Sequence, residues 1–133
     1  MKYVIATALA LGLALPAGGA RADLSEEADI NNALLVLAVA DKIRRECSSI
    51  GGRLGRAQSL AGSARSLARE RGYSEAEIDT YINSSANKAA MRERRNAYFQ
   101  SKGASNLDPA SLCVLGNSEI ASGSQIGRLL RAR

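Results

Sequence analysis

Residues 33–40 read ALLVLAVA and are apolar at every position. A helix that is apolar on all sides is normally buried, because it has no polar face to present to water. Ile30 and Ile43 extend the apolar pattern beyond this segment at helical spacing. We therefore predict a central buried helix that begins with Ser25 as its N-cap residue and ends near Glu46.

The segment after the central helix predicts a second helix over residues 49–71, followed by Gly72 as a C-cap. Small residues fall close together on the side away from its apolar stripe: Gly51, Gly55, Ser59, Gly62 and Ser66. We favour a second packing face inside the domain or a frayed helix start, because helices gain most of their stability from packing within the domain. The alternative interpretation is a docking face for a partner helix.

The remaining segments also carry helix signals. Residues 74–77, SEAE, form a capping box that predicts the start of a helix. The segment NSS at residues 83–85 either ends this helix or lies within one long helix over residues 75–102. Asp108 as N-cap and Pro109 at the first helical position start a further helix. No sustained alternation of apolar and polar residues indicates strands. The prediction is an all-α fold, a small bundle of four to five helices around the central apolar helix.

The first 22 residues have the pattern of a secretory signal peptide. Lys2 gives a positive start, an apolar run ends at Pro16, and ARA at residues 20–22 is an A-x-A cleavage site. The run is shorter than the roughly 20 apolar residues of a membrane span, which disfavours a transmembrane anchor. We predict cleavage after Ala22, a periplasmic or secreted location, and a single helical domain over residues 23–133 without stable membrane insertion. Loss of the leader lowers the net charge from +5 to +3.

The chain has two cysteines, Cys47 and Cys113. Disulfides form and persist outside the cytosol, so export favours a bridge between them over two separate buried thiols. Their distant spacing excludes C-x-x-C redox chemistry, and we interpret the bridge as structural. The predicted bundle is then tied by one disulfide.

Two basic segments are candidate ligand surfaces. RERR at residues 92–95 is the densest basic run, but the few aromatic residues and the predicted export argue against nucleic-acid binding and favour a solvated helix face. The tail at residues 124–133, SQIGRLLRAR, is either a short basic amphipathic element for a membrane surface or partner, or a segment that docks on the domain's own core. We favour docking, since undocked termini are usually disordered.

The sequence contains no histidine, which excludes Ser/His/Asp and Cys/His triads and removes the commonest transition-metal ligand. It also has no P-loop and no G-x-G-x-x-G motif. Asp41, with Arg45 at i+4, and Glu119 are the remaining candidate carboxylates, and neither has an evident second member for general acid–base chemistry. We predict no enzyme activity, no cofactor and no metal.

Three segments carry a resemblance to a known family: residues 24–50, residues 71–82 and residues 112–133. They read LSEEADINNALLVLAVADKIRRECSSI, RGYSEAEIDTYI and LCVLGNSEIASGSQIGRLLRAR, and they resemble a small alphaproteobacterial family of exported proteins, domain of unknown function 5333. Members often carry a proline directly after the first cysteine, where this chain has Ser48. The resemblance implies export and pairing of the cysteines, and it implies no activity.

The leading functional hypothesis is a small exported helical protein that binds an unidentified protein partner in the cell envelope. An alternative is an envelope-stress chaperone that exposes apolar surface when the domain loosens. A lesser alternative is an enzyme that uses Asp41 or Glu119. The sequence leaves the oligomeric state open.

Overall fold

The computed structural model describes residues 23–133. The signal peptide predicted over residues 1–22 lies outside this part of the chain. Five α-helices follow one another: α1 Ala28–Glu46, α2 Leu54–Glu70, α3 Glu75–Asn83, α4 Ser85–Ser101 and α5 Pro109–Ser122. Two short strands, β1 Ile50–Gly52 and β2 Leu130–Ala132, pair antiparallel, and 3-10 turns lie at Leu24–Glu26 and Gly127–Leu129. The predicted all-α bundle is confirmed, with a small two-stranded sheet that the sequence patterns did not indicate.

The central position of α1 is confirmed. This helix contacts α2, α4, α5 and β1, and its side chains Val39 and Ile43 are fully buried. The main core cluster packs around them and is completed by residues from the other elements: Ile50, Phe99, Leu112, Leu115, Ile126, Leu129 and Leu130. The central helix thus provides the surface on which the later helices are assembled, and Ile78 of α3 joins Ile30 of α1 in a second core cluster.

The start of α1 differs from the prediction. Asp23, rather than Ser25, caps the chain: its side chain and that of Glu26 form a capping box around the first 3-10 turn. Within that turn Leu24 is buried, and its carbonyl accepts a hydrogen bond of 2.7 Å from the Asn31 side chain. Because residues 24–26 form this 3-10 turn, the α-helix begins only at Ala28.

The second helix begins at Leu54 rather than at residue 49, so its predicted start is wrong. Residues 50–52 form β1, which pairs with the tail in the register Ile50 to Ala132 and Gly52 to Leu130. Glycine is a poor helix former, and the pairing supplies these residues with hydrogen bonds that a helix would otherwise give. The predicted end of the second helix agrees better with the structure. Gly72 follows α2 and has a φ of 91°, a backbone conformation that glycine adopts readily at helix ends.

Two separate helices occupy residues 75–101, which settles the alternative left open by the sequence. Ser74 and Glu77 form the predicted capping box at the start of α3. Ser84 then ends α3 in an extended conformation and caps α4, its hydroxyl accepting a hydrogen bond of 3.3 Å from the Asn87 amide. One serine therefore serves both helix ends. Asp108 likewise caps α5, as predicted.

The tail docks on the core, as the favoured interpretation predicted. Ile126, Leu129 and Leu130 are buried. The amide of Arg53 donates to the Leu129 carbonyl at 2.7 Å and the amide of Arg133 donates to the Ser49 carbonyl at 2.9 Å. The tail thus joins β1 and the start of α2 to the end of α5.

Candidate functional site

The disulfide between Cys47 and Cys113 is present, as predicted. Cys47 lies directly after α1 and Cys113 lies on α5, with their Cα atoms 5.3 Å apart. Cys47 is buried, and no free cysteine occurs in residues 23–133. The bridge ties the central helix to α5 and leaves no thiol for chemistry in this part of the chain.

The predicted face of small residues is divided by the structure. Gly51 lies in β1, buried beneath the side chains of Arg131 and Arg133, so it is not part of the α2 surface. The other members, Gly55, Ser59, Gly62 and Ser66, are exposed on α2. A Cβ added at Gly55 or Gly62 would have no neighbour within 4 Å. The four residues on α2 therefore do not form a packing face inside the domain, whereas Gly51 lies before the helix, as a frayed helix start would place it. Docking of a partner helix stays a prediction.

Asp41 forms ion pairs within α1 and lies partly exposed. Its carboxylate is 2.6 Å from the Arg44 guanidinium and 3.0 Å from that of Arg45. This agrees with the expectation of a pair at i+4. Both oxygens thus bind arginines of the same helix.

Glu119 is the buried carboxylate of the described chain, 6% exposed on α5. The Tyr98 hydroxyl donates to one carboxylate oxygen and the Ser124 hydroxyl to the other. Burial raises the pKa of Tyr98 well above its usual range, and the bond to Glu119 raises it further. This network joins α4, α5 and the tail. Among residues 23–133, no second carboxylate lines the groove beside Glu119.

Tyr98→Phe tests that structural role. We expect the free energy of unfolding to fall by about 2 kcal/mol, because a hydrogen bond to a charged group is lost while the carboxylate stays buried. Urea unfolding at neutral pH measures the change. The matched control is Tyr81→Phe, whose hydroxyl donates to the neutral amide oxygen of Asn31. The control is expected to lose about 1 kcal/mol. Equal losses in the two variants would contradict a charged acceptor at Glu119.

Ion pairs neutralise the basic residues at the C-terminal end of α2. Arg71 binds Asp29 and Glu27, and its hydrogen bond lowers the pKa of Asp29. Arg65 and Arg69 both bind Glu75 at the start of α3. Contacts between helices thus account for the basic residues at this end of α2.

The N-terminal end of α2 has the opposite character. Its first turn contains no acidic residue and its N-cap, Arg53, makes no side-chain capping bond. Arg56 lies in the same turn and donates to the Arg128 carbonyl at 3.1 Å. Basic side chains are unfavourable beside the positive end of a helix dipole. Local sequence choices that oppose stability are most common at functional sites. This end of the bundle is therefore the candidate functional site.

A groove of about 500 Å³ opens there between α1, α2 and the tail. Its floor is apolar and is formed by five side chains: Leu37, Ala40, Ala57, Leu129 and Leu130. Three arginines also line it: Arg44, Arg53 and Arg133. Leu54 stands at its edge with 70% of the side chain exposed. We call this the arginine-bordered groove.

The charge of the arginine-bordered groove is unbalanced. Asp41, which lines one wall, is paired with Arg44 and Arg45. Within residues 23–133, no carboxylate lies within ion-pair distance of Arg53 or Arg133, and both are exposed. The groove is therefore lined by two arginines, Arg53 and Arg133, that no carboxylate neutralises. Its arrangement suits a ligand that has both a negative charge and an apolar part.

Sequence reasoning did not find this groove. In the sequence, Arg53 falls within the helix predicted over residues 49–71 and Arg133 within the tail, and no local pattern joins them. The groove forms because residues near position 53 meet residues near position 130 through the β1–β2 pairing. The available signal was the run of arginines without acids at the start of α2.

The RERR run lies on α4 and is only partly a solvated face. Arg92 and Arg94 are exposed, whereas the Arg95 guanidinium lies 6.0 Å from the centre of the Phe99 ring. Burial lowers the pKa of Arg95, and the charges of Arg45 and Arg92 lower it further. Arg95 thus belongs to the packing around Phe99.

In residues 23–133, no cluster of three or more potential ligands among His, Cys, Asp and Glu is placed to hold a metal ion. None of the helices in that range has both the length and the hydropathy needed to cross a membrane.

A family model described as "Family of unknown function (DUF5333)" matches residues 22–131. No curated protein and no solved structure matches the chain.

Proposed function

The chain belongs to the DUF5333 family, whose function is unknown, and from that premise we propose that it is an exported binding module of the cell envelope. The binding surface is the arginine-bordered groove. The partner is an envelope component that carries negative charge together with apolar surface. One observation carries this proposal: Arg53 and Arg133 border an apolar groove without a carboxylate to neutralise them.

Three observations support export. Asp23, the residue directly after the predicted cleavage point, caps the first turn with its side chain. The family match begins at residue 22. The Cys47–Cys113 disulfide is of the kind that persists outside the cytosol. Cleavage after Ala22 would leave this folded unit intact.

The export proposal is tested by the intact mass of the protein released from the periplasm, with and without reduction before alkylation. We expect a chain that starts at Asp23 and reacts with the alkylating reagent only after reduction. A full-length mass, or thiols that react without reduction, would contradict export.

The binding proposal is tested by site-specific photo-crosslinking in intact cells. A photoreactive residue in place of Leu54, at the groove, is expected to capture a discrete component. The matched control replaces Leu107, which is 86% exposed and does not line the groove. Capture at position 54 should be lost when Arg53→Gln and Arg133→Gln are combined, and should persist when Arg92→Gln and Arg94→Gln are combined. Equal capture at positions 54 and 107, or none at position 54, would sink the binding proposal.

The stress-chaperone alternative is separable by experiment. A chaperone should suppress aggregation of unrelated proteins under acid or heat, and should bind a hydrophobic dye under the same conditions. Absence of both effects removes this alternative and leaves the binding proposal untouched.

A further inference from the structure

We propose that the ligand of the arginine-bordered groove is an anionic amphiphile with a single alkyl chain. The alkyl chain lies on the apolar floor, and the anionic head, a carboxylate or a phosphate, binds Arg53 and Arg133. This inference rests on the proposed binding function and names the chemistry of its ligand. The partner is then a lipid-like small molecule rather than a protein.

The floor of the groove fits an alkyl chain. The α1 side contributes Leu37 and Ala40, the α2 side contributes Ala57, and the tail contributes Leu129 and Leu130. A volume of about 500 Å³ lies within the range of pockets that hold small molecules. The side chains of the floor offer no hydrogen-bonding group, so affinity there depends on burial of apolar surface.

The rim of the groove fits an anionic head. The Nε of Arg53 donates to the Leu130 carbonyl at 3.1 Å, which holds the guanidinium at the edge of the floor and leaves its terminal nitrogens available. The Arg133 backbone is held by its bond to Ser49. Guanidinium groups bind carboxylates and phosphates through two parallel hydrogen bonds. Arg53 is anchored through its side chain and Arg133 through its backbone, so Arg53 defines where the charged end lies and Arg133 adds a second positive charge.

The same contacts disfavour an acidic peptide. The Leu129 and Leu130 carbonyls at the edge of the groove already accept hydrogen bonds from Arg53. A peptide backbone laid on the floor would lose its bonds to water without gaining replacements, which is costly. An alkyl chain has no such groups. A small free anion, in turn, would leave the apolar floor uncovered.

The test is calorimetric titration of the oxidised protein from the periplasm with sodium octanoate, decanoate and dodecanoate, each below its micelle concentration. We expect the affinity to rise about fourfold for each added methylene group. Sodium acetate should not bind measurably, and dodecyl maltoside, which has the chain without the charge, should bind at least tenfold more weakly than dodecanoate. Two further probes distinguish the possible sources of a phosphate head. Monomeric lysophosphatidylglycerol tests a single amphiphile with a phosphate head, and phosphatidylglycerol vesicles test a bilayer surface.

Substitutions in the arginine-bordered groove test whether the ligand binds there. The combined Arg53→Gln and Arg133→Gln variant should bind dodecanoate at least tenfold more weakly, whereas the charge-matched Arg92→Gln and Arg94→Gln variant should bind as the wild type does. Ala57→Phe, which fills the floor, should abolish binding, and Leu54→Ser provides a second variant at an exposed position. Circular dichroism and urea unfolding check that each variant is folded.

The outcomes separate this inference from the proposed function. Three results would each overturn the proposal of an anionic ligand with a single alkyl chain. These are an affinity that does not depend on chain length, equal binding of dodecyl maltoside, and binding only to vesicles. If no amphiphile binds but Leu54 cross-links to a protein, the proposed function stands and this inference fails. If no amphiphile binds and position 54 cross-links to nothing, both the proposed function and this inference fail.

Discussion

Removing the disulfide through the combined change Cys47→Ala and Cys113→Ala is expected to lower the free energy of unfolding by about 4 kcal/mol. The bridge joins residues with a sequence separation of 66, and a cross-link over such a span restricts the unfolded chain strongly. Small domains are stable by only about 5–15 kcal/mol, so the loss is a large share of the total. Urea unfolding should show a midpoint lower by roughly 2 M if the slope is near 2 kcal/mol per molar.

The reduced wild-type protein is the control for this change. Because Cys47 is buried, the double variant also loses packing of its sulfur atom, whereas the reduced protein keeps both sulfurs. Reduction should therefore reproduce most of the loss. A reduced protein that unfolds at the same urea concentration as the oxidised one would refute a stabilising role for the bridge. The expected result also agrees with the proposed export, since the fully stable domain forms only where the cysteines oxidise.

The parts of the fold that follow from local chemistry were predictable. The apolar segment at residues 33–40 indicated a buried central helix because no face of it could meet water. Ser74 and Glu77 indicated a helix start because their side chains satisfy backbone groups within one turn, and Asp108 did the same for α5. The cysteine pairing followed from the predicted compartment. Each of these inferences needed only neighbouring residues or a single general property of the chain.

The parts that depend on distant contacts were not predictable. Strand β1 is three residues long, too short for an alternating pattern, and its partner lies at the other end of the described chain. Without that pairing, Ile50 and Gly51 fit the helix that was predicted to start at residue 49. The arginine-bordered groove depends on the same pairing, because it brings Arg133 and Arg53 to one edge. The error in the start of α2 and the missed groove thus have one cause.

Gly127→Ala is expected to lower the free energy of unfolding by about 3 kcal/mol, at the upper end of the cost of overpacking. A Cβ at this position would lie 1.9 Å from the Glu119 carbonyl oxygen and 2.3 Å from its carbonyl carbon. These are backbone atoms of α5 and cannot move aside as a flexible side chain can. The tail must shift away from α5, which exposes Ile126, Leu129 and Leu130. Thermal unfolding should occur roughly 12 °C lower.

Gly62→Ala is the matched control, because the same substitution there meets no atom within 4 Å. It replaces a glycine in the middle of an exposed helix and should raise the free energy of unfolding by about 1 kcal/mol. A comparable loss in both variants would mean that contact with α5 is not the cause at Gly127. The Gly127 variant should also lose ligand binding, because Leu129, Leu130 and Arg133 reach the arginine-bordered groove only while the tail is docked. A variant that is destabilised but binds normally would show that the groove does not need the docked tail, and would separate the fold of the tail from the proposed function.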